Sequence, residues 1–128
     1  MARQKIIELG SNRRDARVKR ISFSKPKMYD MKNLAKLKLL DEKNPETMKA
    51  FWAFDKATFA PGAIDVLNKQ LMAVAIALTT QCPYCIELHV KSARKAGATD
   101  QMLAETATVA AAMRAGAAIT HASHLFKD

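Results

Sequence analysis

DVLNKQLMAVAIALTTQCPYCIELHVKSARKAG, residues 65–97, holds two apolar-rich segments parted by a pair of cysteines. Before the pair, Val66, Leu67, Leu71, Val74, Ala75 and Leu78 suit a buried helix, capped by Asp65 and running to about Thr80. After it, a second helix is expected to begin around Cys82 and Pro83 and to end at Gly97. Proline at the first helical position sacrifices no hydrogen bond, and glycine readily takes the left-handed conformation of a C-terminal cap.

Helical signals continue on both sides of this stretch. Downstream, Thr99-Asp100 opens a helix expected to reach about Leu125, with nine alanines between Ala104 and Ala122. Small side chains allow close backbone approach, so this helix is expected at the centre of the fold or at a subunit interface. Upstream, Asn44-Pro45-Glu46 is a helix start, with Asn as cap, Pro at the first position and Glu complementing the dipole. Met48, Phe51, Trp52, Asp55 and Phe59 mark the faces of that helix until Pro61-Gly62 stops it. A further apolar stripe, Met28, Met31, Leu34, Leu37 and Leu40, predicts one more helix. The expected class is all-α.

At 128 residues the chain has room for one compact domain, and 49% hydrophobic residues with four Gly and four Pro exclude a low-complexity or wholly disordered polypeptide. The longest apolar run, Leu71 to Leu78, is less than half of the about 18 to 20 residues a membrane span needs. Arg3, Lys5 and Glu8 interrupt what would have to be a signal peptide's apolar stretch, so a cytoplasmic location is expected.

The formal charge of +9 is uneven. Residues 1–27 hold nine basic and two acidic residues, hence +7, and leave +2 for residues 28–128. We therefore expect a basic N-terminal arm over 1–27 and a nearly neutral helical domain over 28–128. The arm has few aromatic residues for base stacking and no nucleic-acid reading motif, so docking on its own or a neighbouring subunit is favoured over nucleic acid, and an acidic carrier domain is a further fitting partner.

Chemistry concentrates in Cys82-Pro83-Tyr84-Cys85-Ile86-Glu87-Leu88-His89. Both sulfurs fall at a helix N-terminus, where free N–H groups and the dipole favour a thiolate. His89 lies four residues beyond Cys85, one turn along the same face, in reach of that thiol as base or hydrogen-bond partner. Cys85 is thus the candidate nucleophile and Cys82 the candidate resolving thiol, closing a disulfide once Cys85 is oxidised to a sulfenic acid. Local sequence leaves two other readings open. A CxxC with a nearby His supplies three zinc ligands, with the His121-x-x-His124 pair available to complete a site, and a cysteine is often simply buried. Phe51, Trp52, Phe54 and Phe59 are expected as core more than as a substrate pocket.

Lys69-Gln70-Leu71, Ala73, Ala75, the Cys82–Ile86 motif, His89, Ala93, Ala96-Gly97-Ala98 and Arg114-Ala115-Gly116-Ala117 together resemble the AhpD-like alkylhydroperoxidase branch of the carboxymuconolactone decarboxylase family. The resemblance covers roughly residues 45 to 125. It implies an all-helical fold, assembly as a homo-trimer or homo-hexamer, no cofactor, and reduction of hydroperoxides by the cysteine pair. An external dithiol, such as a dihydrolipoyl-bearing protein, would re-reduce that pair. Carried onto this chain, Cys85 is peroxidatic, Cys82 resolving and His89 part of the proton relay. Two positions depart from the pattern. Gln70 stands where the family usually has the glutamate that serves as base, and Tyr84 where its best-known peroxidases have a histidine. An amide can orient His89 but cannot accept the thiol proton as a carboxylate would. The alternative reading is an oligomeric helical protein that uses the pair for redox sensing or metal capture with little or no catalysis.

Overall fold

The computed structural model describes residues 29–127, and the arm expected over 1–27 lies outside them. A 3-10 helix, Met31–Leu37, leads into α1, Lys38–Lys43, followed by α2, Pro45–Thr58, α3, Val66–Thr80, α4, Pro83–Lys95, and α5, Asp100–His121. A second 3-10 helix, Ala122–Leu125, follows α5, and there is no strand among the described residues. The all-α expectation therefore holds.

The ends of α3, α4 and α5 are set by local chemistry. Asp65 Oδ1 accepts from the Asn68 N–H at 2.7 Å, and Thr99 Oγ1 from the Met102 N–H at 3.2 Å, each satisfying a donor left free by the first helical turn. Gly97, at φ +105°, closes α4, and the Ala98 N–H returns to the Ala93 carbonyl at 2.9 Å. α3 closes in the same manner without a glycine. Gln81 takes the left-handed conformation at φ 56° and ψ 42°, and the Cys82 N–H reaches the Ala77 carbonyl at 3.1 Å.

Three expectations about helix bounds and caps need correction. The stripe starting at Met28 does not make one α-helix: seven residues wind as a 3-10 helix before α1 begins. Met31 and Leu34 in the 3-10 segment are half-buried while Leu37 and Leu40 are exposed, so the stripe is not one continuous buried face. Asn44 precedes α2 as expected, but its side chain makes no capping bond. Its backbone serves both neighbours instead, donating to the Leu40 carbonyl at 2.8 Å and accepting from the Met48 N–H at 3.0 Å. The last helix gives way to 3-10 geometry at Ala122 rather than continuing to Leu125.

α3 is the hub, packed against both α4 and α5. Its contacts bury small side chains, namely Val74, Ala77, Ala93, Ala98 and Ala110, together with Gln70, the single buried polar residue among those described. Alanines let the helix axes come close, and on α5 this role falls to Ala110, the one buried residue of that helix. The aromatic residues of α2 are not core as expected: Phe51 is 48% exposed, Trp52 42% and Phe54 68%. α2 packs chiefly on α1, where Trp52 Nε1 donates to Asp41 Oδ1 at 2.7 Å, and it is tied to α3 at its C-terminal end. There Lys69 Nζ donates to the Thr58 and Ala60 carbonyls at 2.8 and 2.6 Å, groups the ending helix leaves free. No described helix is long and apolar enough to cross a membrane.

Candidate active site

The left-handed Gln81 turns the chain sharply from α3 into α4, and the cysteine motif lies on that corner. Cys82 is the N-cap of α4 and its sulfur accepts from the Cys85 N–H at 3.3 Å. Pro83 occupies the first turn, where its missing N–H leaves no intrahelical bond unmade. Cys82 and Cys85 are joined by a disulfide, with Cα atoms 5.3 Å apart, inside the range that such a bridge requires. Both cysteines are half-buried.

One turn along α4, His89 meets Gln70 of α3: its Nδ1 lies 2.8 Å from Gln70 Oε1. An amide oxygen only accepts, so Nδ1 carries the proton and donates, and the free lone pair of the ring falls on Nε2. Gln70 is 7% exposed, which makes this bond the means by which a buried amide is satisfied and a catalytic-type imidazole is given one tautomer. The Phe59 ring, just after α2, also lies against His89, with centroids 5.0 Å apart and planes 33° from parallel. His89 thus meets both α3 and the end of α2.

Cys85 and His89 open together onto a hollow of about 220 Å³ whose other walls are Phe59, Ala73, Ile76, Ala77 and Thr80. α3 lines it with the small side chains of Ala73, Ala77 and Thr80 beside Ile76, and Gln70, Ala73, Ala77 and Thr80 follow one another at three-to-four spacing on a single face. That spacing is visible in the sequence, and extending the Gln70 face along α3 finds the wall. Phe59 at His89 has no such signal, because the contact depends on how α2 is folded back.

On the other side of the motif, the Tyr84 hydroxyl accepts from Asn33 Nδ2 at 3.2 Å, and the Tyr29 ring stands edge-on to it at 5.9 Å. The segment before α1 therefore covers the residue between the cysteines. Glu87 is exposed. The His121 and His124 rings stand against each other at 5.7 Å, both exposed, and neither lines the hollow with Cys85. Among the described residues, no three His, Cys, Asp or Glu side chains converge as a metal centre requires.

The model of the carboxymuconolactone decarboxylase family matches residues 45–128. Uncharacterized protein 4 in the cox locus of Paracoccus denitrificans is 58% identical over 74 residues, covering 58% of this chain and 67% of that relative. An uncharacterized protein of Cupriavidus necator is 32% identical over 84 residues, covering 66% of this chain and 74% of its own. Among solved structures, a protein from Methanobacterium thermoautotrophicum matches with a TM-score of 0.64 at 37% identity, covering 67% of this chain and 97% of that one. A carboxymuconolactone decarboxylase family protein from Legionella pneumophila, in its apo form, matches with a TM-score of 0.58 at 35% identity, covering 72% and 80%.

Proposed function

The chain belongs to the carboxymuconolactone decarboxylase family, and on that footing we propose that it is a thiol peroxidase of the AhpD-like kind. The observation that carries this reading is a disulfide-bonded Cys82–Cys85 pair whose Cys85 shares a hollow with an imidazole held in one tautomer by Gln70. In the reduced protein, Nε2 of His89 takes the Cys85 thiol proton. The thiolate attacks the terminal oxygen of a hydroperoxide, forming an S–O bond as the O–O bond breaks. The departing alkoxide leaves as an alcohol with the proton returned from Nε2. Cys82 then attacks the Cys85 sulfenic acid, water leaves, and the disulfide forms. An external dithiol reduces the pair by exchange and is itself oxidised to a disulfide. A negative sulfur at Cys82 is favoured by the Cys85 N–H and the α4 dipole, which suits it as leaving group in that exchange.

Gln70 supports a second reading. Without a carboxylate behind it, His89 has only a neutral partner, and a protein that closes its disulfide slowly is a redox sensor rather than a turnover enzyme. The two are separated by treating the reduced chain with stoichiometric hydroperoxide and following thiols and intact mass. Rapid loss of two hydrogens, with repeated turnover when a dithiol is supplied, establishes the peroxidase. Oxidation without turnover establishes the sensor, and bound zinc in the native mass overturns both.

The assembly belongs to the same proposal. Phe54 on α2 and Val109, Met113 and Ile119 on α5 are each 60% exposed or more, as chain surfaces are when further copies cover them. A homo-trimer or homo-hexamer supplies those copies, and sedimentation of the full chain tests it.

A further inference from the structure

We propose that Thr80 positions the substrate, accepting the hydrogen bond of the hydroperoxide O–H and so aiming the O–O bond at Cys85 Sγ. The proposal rests on the peroxidase function above and assigns that reaction a further residue. Of the hollow's walls, Phe59, Ala73, Ile76 and Ala77 offer no side-chain hydrogen bond, so apart from Cys85 and His89 only the Thr80 side chain can address the polar end of a peroxide.

The Thr80 hydroxyl is not free to choose its role. Its one proton is committed to the Ile76 carbonyl at 2.9 Å, with the Ala77 carbonyl at 3.4 Å behind it. This is the local back-bond that Ser and Thr make in the last turn of a helix. The oxygen of this lining residue therefore has only lone pairs left to offer a peroxide in the hollow. A hydroperoxide carries one donor, the O–H on its terminal oxygen, which is the oxygen a thiolate attacks. A fixed acceptor at Thr80 takes that proton in a hydrogen bond without removing it, and the hydrogen stays on the oxygen as it becomes Cys85–SOH. His89 has the opposite polarity. Once Nε2 holds the thiol proton it becomes a donor, matched to the alkoxide oxygen that leaves. An acceptor for the attacked end and a donor for the leaving end orient the peroxide in one sense only.

Thr80 is close enough in the chain to Cys82 that a purely structural role must be separated from a substrate role. Reduced full-length parent, Thr80→Val and Thr80→Ser are compared by rapid mixing with hydrogen peroxide and with tert-butyl hydroperoxide, and by the rate of Cys85 alkylation with iodoacetamide, an electrophile with no O–H to bind. Thr80→Val is expected to slow both peroxide reactions by about tenfold, the worth of one well-placed hydrogen bond, while alkylation keeps the parent rate. Thr80→Ser is expected to restore the peroxide rates to within about threefold. Equal peroxide rates in parent and Thr80→Val overturn the assignment. Peroxide and alkylation rates falling together also overturn it, since Thr80 then shapes the thiol and not the substrate. A parent that alkylates normally but ignores peroxide overturns the peroxidase function itself, and this assignment with it.

Discussion

The corner between α3 and α4 and the outer faces of α2 and α5 follow opposite rules. At the corner, the buried side chains are small, and the one buried polar group, Gln70, is bonded to His89. On the outer faces the large apolar side chains, among them Trp52, Phe54, Met113 and Ile119, are left in the open. The disulfide, its histidine and the hollow beside them lie together within one chain, while the large apolar side chains stand exposed on other helices. The residues proposed for chemistry and those proposed for assembly are therefore different, and substitutions can separate them.

The largest effect falls on the corner alone. Cys85→Ser is expected to abolish dithiol-dependent peroxide turnover and to leave the sedimenting mass unchanged; turnover that survives this substitution removes Cys85 from the mechanism. The reverse case is Phe54→Lys combined with Met113→Lys on the outer faces. Each withdraws a side chain worth about 1.5–3 kcal/mol when buried, so association should weaken by well over tenfold while reduced thiols still react with peroxide. Should the mass stay constant across a wide dilution range, those faces are not where copies meet.

Smaller effects sharpen the corner itself. Gln70→Glu gives His89 a carboxylate partner and is expected to raise the peroxide rate by about tenfold or more, within the usual worth of acid–base catalysis. Gln70→Leu leaves the Nδ1 proton of His89 without its acceptor and should cost about 1–3 kcal/mol of stability as well as activity. Thermal melts and peroxide rates on the same samples read both, and an unchanged pair would remove Gln70 from the site. The smallest change is Gln81→Gly. A non-glycine residue at φ 56° carries a steric cost of about 1 kcal/mol, so glycine should raise the melting temperature by a few degrees without altering the thiol chemistry.

How much of this was legible follows the range of the interactions. Asp65 and Thr99 announce helix starts because a cap acts on N–H groups two or three residues away. Cys85 and His89 are four apart on one helix, so their common face needs no tertiary information. Gln70 was marked by family resemblance as a group able to orient His89, and the structure places its amide oxygen 2.8 Å from His89 Nδ1. Phe59 on His89 and Asn33 with Tyr29 on Tyr84 carried no signal, since those contacts span 30, 51 and 55 positions and depend on where α2 and the segment before it are laid. The Met28 stripe was misleading for a related reason. Periodicity states which face a helix would bury but not how tightly it winds, and along this stripe burial falls from half-buried at Met31 and Leu34 to exposed at Leu37 and Leu40.

The amino-acid sequence by itself determined the all-helical class, the corner at the cysteine motif and the pairing of thiol with imidazole along α4, because caps, prolines and one-turn spacings act over a few residues. The tertiary structure alone decided which tautomer the histidine holds, that small residues on α3 leave a hollow beside Cys85, and that the aromatic face of α2 stays uncovered. Each of these depends on how one helix is laid against another, which no one-turn spacing states; between α3 and α4 the buried Ala77 and Ala93 let the helices pack closely.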